Sequence, residues 1–274
     1  MSAPSETTPQ DYNALSLSVE ESGHPIVKPI IFEFDALQLQ IFHKDKFDEH
    51  VLHHGKSSEL LRGQMKDGTE VVIKKRPVSE ISSSRSEAKI LREIKHCGIV
   101  GYICFHEDDE FTYLVLDLVE STLEEHIEQI NSLLTDEDEK KAKLKELTVK
   151  VLQALNFLHQ EQYIHGDVKL RNVRVDKVKP KLIDFTLSEK MTDRNVQKMK
   201  DEIHKAGVLA YYILSGGKNY SGLNTEFAVS DLEWDFIEGM TEKKQSLKKA
   251  LDHPVFWKDY RKLKYLEGLS NLKL

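Results

Sequence analysis

One stretch between residues 163 and 190 constrains this chain more than any other. It reads YIHGDVKLRNVRV and then PKLIDFTLSEK, so Asp167 and Asn172 lie five residues apart on one loop and Asp184 follows a short apolar strand. Two carboxylates and an amide arranged in this way predict a site for phosphoryl transfer. The alternative is a pair of unrelated hairpin turns that happen to be rich in Asp.

The two motifs resemble the H-R-D-x-x-x-x-N loop and the D-F-G triplet of protein kinases. The resemblance implies that Asp167 accepts the proton of the attacking hydroxyl and that Lys169 neutralises the transferred phosphoryl group. It also implies that Asn172 and Asp184 hold Mg²⁺ and that ATP is the cofactor. The implied fold is α+β and bilobal, with a small antiparallel-sheet lobe that carries one helix and a larger helical lobe.

The bulk properties argue against several other classes of protein. The 274 residues carry 39 basic and 46 acidic side chains, and the net charge of -7 gives no general attraction to nucleic acid or to an anionic membrane. No window offers the roughly 18 apolar residues of a membrane span, and the N-terminal residues lack the basic and apolar regions of a secretion signal. The two cysteines lack the spacing of a metal site. We therefore expect a cytoplasmic protein.

The first part of the chain is predicted to form a leader and then a sheet. Residues 1–28 are polar and read as a flexible leader. Residues 29–119 follow as the small lobe, with strands predicted at 47–52, 59–62 and 69–74. The loop between the first two strands would cover the phosphates of a nucleotide, and Gly55 is its one glycine. A P-loop is excluded because His50 stands where its first glycine is required.

The third predicted strand ends in EVVIKK, a relative of the V-A-I-K motif, and makes Lys74 the phosphate-contacting lysine. Ser79 is predicted to cap a helix that runs to about residue 95. Glu87 lies where this helix would offer a carboxylate to Lys74, although Glu80 and Glu93 are alternatives on the same helix.

The next segments predict the adenine site and the start of the helical lobe. A hairpin turns at the acidic residues 107–110, and its second strand runs into Asp117 and Val119, whose backbone would bind adenine. The helical lobe covers residues 120–258. Ser121 or Thr122 is predicted to cap its first helix, and a longer helix is predicted over residues 143–159.

Several positions depart from ordinary protein kinases. Gly166 replaces the arginine of the catalytic loop, Thr186 replaces the glycine of the D-F-G triplet, and Glu202 stands where the next helix begins with Asp. The A-P-E anchor of the peptide-docking segment is absent, since only MTDRNVQKMKD precedes the next helix. The loss of the loop arginine suggests that no phosphorylated activation segment is read here.

The chain ends in a predicted helix over residues 259–274. Phe256 and Trp257, just before it, are predicted to anchor the core of the helical lobe. The tracts LVLDLVESTLEEHIEQ, AGVLAYYILSGGK and DHPVFWKDYRKLKYLEGLSN resemble the branch of kinases formed by inositol-requiring enzyme and ribonuclease L. In that branch the last tract leads into a ribonuclease domain, so we expect this domain to be lacking beyond a remnant of its first helix.

Two functions follow from these resemblances. The first is a serine/threonine protein kinase that acts on a protein substrate or on itself. The second is a pseudokinase that binds nucleotide and acts as a regulatory or dimerisation module. The retained Lys74, Glu87 and Asp167 favour the first, whereas the reduced glycine loop and the short docking segment favour the second. A homodimer is compatible with either.

Overall fold

The computed structural model describes residues 58–219, 229–243 and 245–265 with their side chains, and describes further strands before residue 55 and the helix end at 266–270 by their backbone. Most of the predicted leader lies outside the described residues. Within it, Ser18–Val19 (β1) and Pro25–Ile26 (β2) pair as a short antiparallel ladder. Gly55 and its loop also lie outside the described residues.

An antiparallel sheet forms the small lobe. Its described strands are β3 (Ile30–Phe34), β4 (Leu37–Ile41), β5 (Val51–His54), β6 (Glu59–Met65), β7 (Glu70–Pro77), β8 (Tyr102–Glu107) and β9 (Phe111–Asp117). They follow the order β3-β4-β6-β7-β9-β8, and β5 pairs with β6 beside β4. Of the predicted strand at 47–52, Val51 and Leu52 lie in β5, and residues 47–50 lie outside the described residues. The next two strands extend three residues further than predicted, to Met65 just before the turn at Gly68 and to Pro77.

The helix of the small lobe, α1 (Ile81–Glu93), packs Ala88, Ile90 and Leu91 into the core. The prediction that Ser79 caps it is wrong. Ser79 lies in a 3-10 turn (Val78–Glu80), and Glu80 occupies the cap position without a side-chain hydrogen bond. The turn starts at Val78, directly after β7, so the chain enters the helix through the turn rather than through a serine cap.

The helical lobe contains α2 (Leu123–Leu133), α3 (Glu137–Gln160), α4 (Val196–Leu214), α5 (Asp231–Thr241), α6 (Leu247–Leu251) and α7 (Asp259–Ser270). Its short strands are β10 (Ser121–Thr122), β11 (Tyr163–Ile164), β12 (Val173–Asp176), β13 (Lys179–Leu182) and β14 (Glu189–Lys190). The Thr122 cap is confirmed, because its hydroxyl accepts from the Glu125 amide at 3.0 Å in a capping box. The long helix starts at Glu137, six residues earlier than predicted. The Asp136 side chain caps it, and the acidic first turn suits the positive end of the helix dipole.

The core of the helical lobe is built on α3. Leu144, Leu147, Val151, Leu155 and Leu158 recur at helical spacing and are all buried, and α3 packs against α4 and α6. Each such side chain contributes roughly 1.5–3 kcal/mol through burial. The two lobes meet at β13 (Lys179–Leu182), where Leu182 bonds through its backbone to Gly98 at 2.8 Å and Val100 at 3.0 Å. This is the α+β, bilobal arrangement expected from the sequence.

The anchor at the end of the helical lobe differs in detail from the prediction. Val255, which is 2% exposed, is the fully buried residue there. Phe256 is half-buried and packs edge-on against Phe236, with 4.9 Å between ring centroids. Trp257 instead contacts Tyr265 of α7, at 5.4 Å. Trp257 therefore holds α7 rather than the core.

Candidate active site

A buried ion pair joins the sheet to α1. Lys74 lies on β7 and Glu87 on α1, and Nζ of Lys74 is 2.9 Å from Oε1 and 3.0 Å from Oε2 of Glu87. The two side chains are 8% and 0% exposed. Glu80 and Glu93, the alternatives on the same helix, do not reach Lys74: Glu93 instead accepts from the Tyr163 hydroxyl at 2.7 Å. The structure therefore brings Lys74 and Glu87 together.

Asp184 joins this pair from the other lobe. It follows β13 after one residue, and its Oδ1 is 2.7 Å from Nζ of Lys74. Burial by itself raises the pKa of Asp184, but the Lys74 charge and the hydrogen bonds from Lys74 and Thr186 outweigh it and hold the pKa well below its usual value. Its backbone φ of 61° is left-handed, which is uncommon outside glycine, so surrounding contacts hold it there.

Sequence reasoning missed Arg76 as part of this cluster. Its side chain is 6% exposed, lies 3.1 Å from Oε2 of Glu87 and contacts the Thr186 hydroxyl. Successive side chains of a strand point to opposite faces, so Arg76 shares the inward face of β7 with Lys74 while Lys75 faces away. That alternation along β7 is the signal in the sequence that indicates Arg76.

The catalytic loop gathers the other predicted residues. The amide nitrogen of Asn172 donates to Oδ2 of Asp167 at 2.9 Å and to its backbone carbonyl at 2.8 Å. Nζ of Lys169 also contacts Oδ2 of Asp167. Because the Asn172 nitrogen is committed to Asp167, the Asn172 oxygen is the atom that faces a ligand.

The catalytic loop is held by Glu202 of α4. The backbone N–H of Gly166 donates to Oε2 of Glu202 at 2.6 Å, and His159 lies 2.8 Å from the other oxygen of Glu202. Gly166 has a φ of 84°, and a Cβ there would overlap the carbonyl oxygen of Leu187. The glycine is therefore a requirement of this backbone, and the arginine usual at this position does not fit it.

His165 stiffens the loop next to Asp167. Its Nε2 lies 3.1 Å from the carbonyl of Ile183, and its Nδ1 accepts from the Asp167 amide at 3.3 Å. A carbonyl only accepts and an amide only donates, so the ring is neutral with its proton on Nε2. Burial lowers the pKa of His165, although Glu202 and the other carboxylates nearby oppose that shift.

The predicted adenine segment follows β9. The Asp117 amide donates to the carbonyl of Gly101 at 3.0 Å, and its carboxylate lies 3.2 Å from Nζ of Lys181. The Asp117 side chain is thus turned towards a cavity of about 550 Å³ behind the segment, which Lys181 and Gly101 also line. The binding of adenine by the backbone of Asp117 and Val119 stays a prediction, and the N–H of Asp117 is already used by the carbonyl of Gly101.

The described residues contain no group of three or more His, Cys, Asp or Glu side chains placed to hold a metal ion. Asp184 and Asn172 supply one ionised carboxylate and one amide oxygen. These are hard oxygen donors that suit Mg²⁺, which commonly takes one or two protein oxygens together with substrate phosphates. The residues present therefore fit the cofactor that the sequence predicted.

The segment after Asp184 is short. Glu189–Lys190 (β14) pairs with Tyr163–Ile164 (β11), and α4 begins at Val196. Five residues, 191–195, connect the two elements, and Asn195 ties this turn to Lys190 through a 2.8 Å hydrogen bond. The part of the chain described here therefore has no separate platform for a peptide between β14 and α4.

Comparison with known proteins defines the class. The family model for the protein kinase domain matches residues 48–223, which is more than half of the chain, so this chain belongs to the protein kinase family. None of the helices in the described part of the chain combines the length and apolar content needed to cross a membrane.

The relatives narrow the resemblance. The chain is 23% identical over 309 residues to the probable serine/threonine-protein kinase irlD of Dictyostelium discoideum, covering 90% of this chain and 20% of that protein. It is 23% identical over 262 residues to the serine/threonine-protein kinase/endoribonuclease ire-1 of Caenorhabditis elegans, covering 75% of this chain and 26% of that protein. The chain thus spans about a fifth to a quarter of the length of these two relatives.

A solved structure supports the fold. The crystal structure of Rad53 residues 1–466 in complex with AMP-PNP superposes with a TM-score of 0.62 at 21% identity, covering 76% of this chain and 64% of that one. The bilobal protein kinase fold predicted from the sequence is confirmed by this match.

Proposed function

We propose that this chain is an ATP- and Mg²⁺-dependent serine/threonine protein kinase domain, with its own residues among its substrates. The observation that carries the proposal is that Nζ of Lys74 lies 2.9 Å from Glu87 of its own lobe and 2.7 Å from Asp184 of the other lobe. The names of the relatives irlD and ire-1 support the preference for serine and threonine. A cytoplasmic location and a homodimer stay predictions.

The proposed roles follow from the charges present. When bound, ATP with Mg²⁺ supplies the phosphoryl group and neutralises its charge. Lys74 holds phosphate oxygens while Glu87 fixes its side chain. Asp184 and the Asn172 oxygen hold the metal, and the backbone of Asp117 and Val119 orients adenine. The Gly55 loop is proposed to cover the phosphates.

Two residues of the catalytic loop are proposed to act on the proton of the reacting hydroxyl and on the charge of the transferred group. Asp167 is proposed to accept the proton of the substrate hydroxyl on its carboxylate. Lys169, which contacts that carboxylate, is positioned to compensate the charge of the transferred group. His165 keeps the Asp167 backbone in place because its Nδ1 accepts from the Asp167 amide.

One observation favours a second function. The five-residue connection between β14 and α4 leaves no platform for a peptide within residues 189–196. The alternative is therefore a pseudokinase that binds nucleotide and regulates a partner or a second copy of the chain. Both functions require nucleotide binding, and they differ in whether the phosphoryl group of the nucleotide is transferred.

The test combines two measurements on one preparation. Thermal unfolding is followed with ATP, with and without Mg²⁺, and incorporation of radiolabel from ATP is measured beside it. At 100 times its Kd a ligand stabilises by about 2.7 kcal/mol, and each kcal/mol raises Tm by roughly 2–4 °C for 150–250 residues, so we expect a rise of about 5–10 °C.

The Lys74→Met variant is the control for the site. It removes the cation from the phosphates, so both the thermal shift and the incorporation of label should fall to the level without nucleotide. A metal-dependent shift with label supports the kinase. A shift without label supports the pseudokinase, and the absence of any shift in the wild-type protein contradicts both.

A further inference from the structure

The Thr186 hydroxyl is the meeting point of two cations and two carboxylates. It lies 2.8 Å from Nζ of Lys74, 2.5 Å from Oδ1 of Asp184 and 3.2 Å from Oε2 of Glu87, and it contacts a guanidinium nitrogen of Arg76. A hydroxyl has two lone pairs and one hydrogen. It therefore accepts from both cations and donates to a carboxylate, so its whole hydrogen-bonding capacity is used inside this cluster.

Arg76 gives Glu87 a second cation. One Glu87 oxygen lies 2.9 Å from Lys74 and accepts from the Phe185 amide at 3.0 Å, and the other lies 3.1 Å from Arg76. A buried carboxylate that loses its only cation is strongly destabilising. Glu87 avoids that loss when Lys74 turns towards a phosphate, because Arg76 stays with it.

We infer that Arg76 and Thr186 are positioning residues that keep α1 and Asp184 assembled without any modification of the segment after Asp184. This inference rests on the proposed function for its role in phosphoryl transfer. Arg76 holds α1 through Glu87, and Thr186 holds Asp184 in its left-handed backbone conformation through the 2.5 Å hydrogen bond.

Two other features fit this role. The Gly166 backbone excludes a cationic side chain beside Asp167. The connection at 191–195 is also short and is tied to Lys190 by Asn195. The contacts that assemble the site therefore lie inside the cluster itself, at Arg76 and Thr186.

The first experiment measures hydrogen exchange of the α1 amides, residues 84–93, in the full chain without nucleotide. Arg76→Met should speed exchange about tenfold, the factor that corresponds to loss of a charge-assisted hydrogen bond. Lys75→Met is the matched control: it neighbours Arg76 on β7, faces away and stacks on Phe111, with 3.9 Å from Nζ to the ring centroid. It should leave α1 exchange unchanged.

The same measurement separates Arg76 from Lys74. In Lys74→Met, α1 should keep its protection to within about threefold, because Arg76 still holds Glu87. Wild-type protection of α1 in Arg76→Met would overturn the inference, as would equal losses in Arg76→Met and Lys75→Met. This experiment needs neither nucleotide nor activity, so its result is independent of the proposed function.

The second experiment tests Thr186 through its effect on metal dependence. Thr186→Val keeps the shape and removes the hydroxyl, whereas Thr186→Ser keeps the hydroxyl. Binding of a fluorescent ADP is titrated with Mg²⁺. We expect the half-saturating Mg²⁺ concentration to rise about tenfold in Thr186→Val and to return to within about threefold of wild type in Thr186→Ser.

Nucleotide affinity without Mg²⁺ should change by less than about threefold in both variants, which separates positioning of Asp184 from general damage. Wild-type Mg²⁺ dependence in Thr186→Val overturns the role of Thr186. If Arg76→Met does not fold, the Thr186 pair decides the inference alone. If the wild-type chain binds no nucleotide, the proposed function fails, and α1 exchange in Arg76→Met and Thr186→Val decides the inference.

Discussion

The two halves of the candidate site differ in how far their charged side chains are buried and paired. In the cluster around Lys74 and Glu87, the side chains of Lys74, Glu87 and Arg76 are buried, Asp184 is 38% exposed, and each charge has more than one partner. On the catalytic loop, the Asp167 and Lys169 side chains are 22% and 41% exposed, and the segment that follows is cut to a short turn. The charges around Lys74 and Glu87 are thus paired several times over, whereas the catalytic loop is followed by only a short connection.

This difference explains why the two proposed functions share nucleotide binding and diverge at transfer. Buried ion pairs persist only when further hydrogen bonds satisfy them, as Thr186 and the Phe185 amide do here. The pair of Asp167 and Lys169 is partly open to water, which screens its charges. Substitutions at single residues of the site test this difference.

The largest effect is expected from Asp167→Asn. The variant keeps the size of the side chain but removes the base, so transfer should fall by roughly 10²–10⁴-fold while nucleotide affinity changes by less than about threefold. Label incorporation and nucleotide Kd are measured on the same protein. Asp109→Asn, in the exposed turn between β8 and β9, is the matched control and should leave both unchanged. Unaltered transfer in Asp167→Asn would show that the assignment of the base is wrong.

The next effect concerns the backbone that carries the loop. Gly166→Ala adds left-handed strain and a collision with the Leu187 carbonyl, so the free energy of unfolding should fall by about 3 kcal/mol or more. Gly68→Ala is the control: Gly68 has a similar φ of 87°, but nothing lies within 4 Å of its added Cβ. It should lose only about 1–2 kcal/mol. Equal losses in denaturant unfolding would mean that the collision is relieved by movement of residue 187.

The smallest effect is a pH dependence from His165. Because burial lowers the pKa of His165 in the folded state, the unfolded chain binds more protons below its ordinary pKa of about 6.5. Stability should therefore fall as pH drops below that value, by up to about 1.4 kcal/mol per pH unit. His165→Gln should show a shallower fall between about pH 7.5 and 5.5 in denaturant unfolding. An identical slope in both proteins would place the titrating group elsewhere.

Much of the site was predictable because its residues lie at fixed offsets in short motifs. The spacing of Asp167, Asn172 and Asp184 was sufficient to select them as candidate site residues. The position of Glu87 on α1 was sufficient to predict its pairing with Lys74. The predicted Ser79 cap was wrong because a 3-10 turn leads into the helix and places the cap position one residue later, at Glu80. Arg76 was not predicted, although strand alternation places it on the same face as Lys74, because arginine side chains are mostly exposed to solvent.

The sequence by itself determined the class of protein, the order of the two lobes and the identity of the charged residues, because these depend on local pattern and spacing. Only the tertiary structure decided that Thr186 and Arg76 complete the cluster and that Gly166 is required. Both facts depend on groups distant in sequence: Thr186 meets Lys74 across 112 positions, and the Gly166 amide meets Glu202 of α4 across 36. A hydrogen bond needs its two partners within about 3 Å, and no local propensity specifies which distant groups meet that condition.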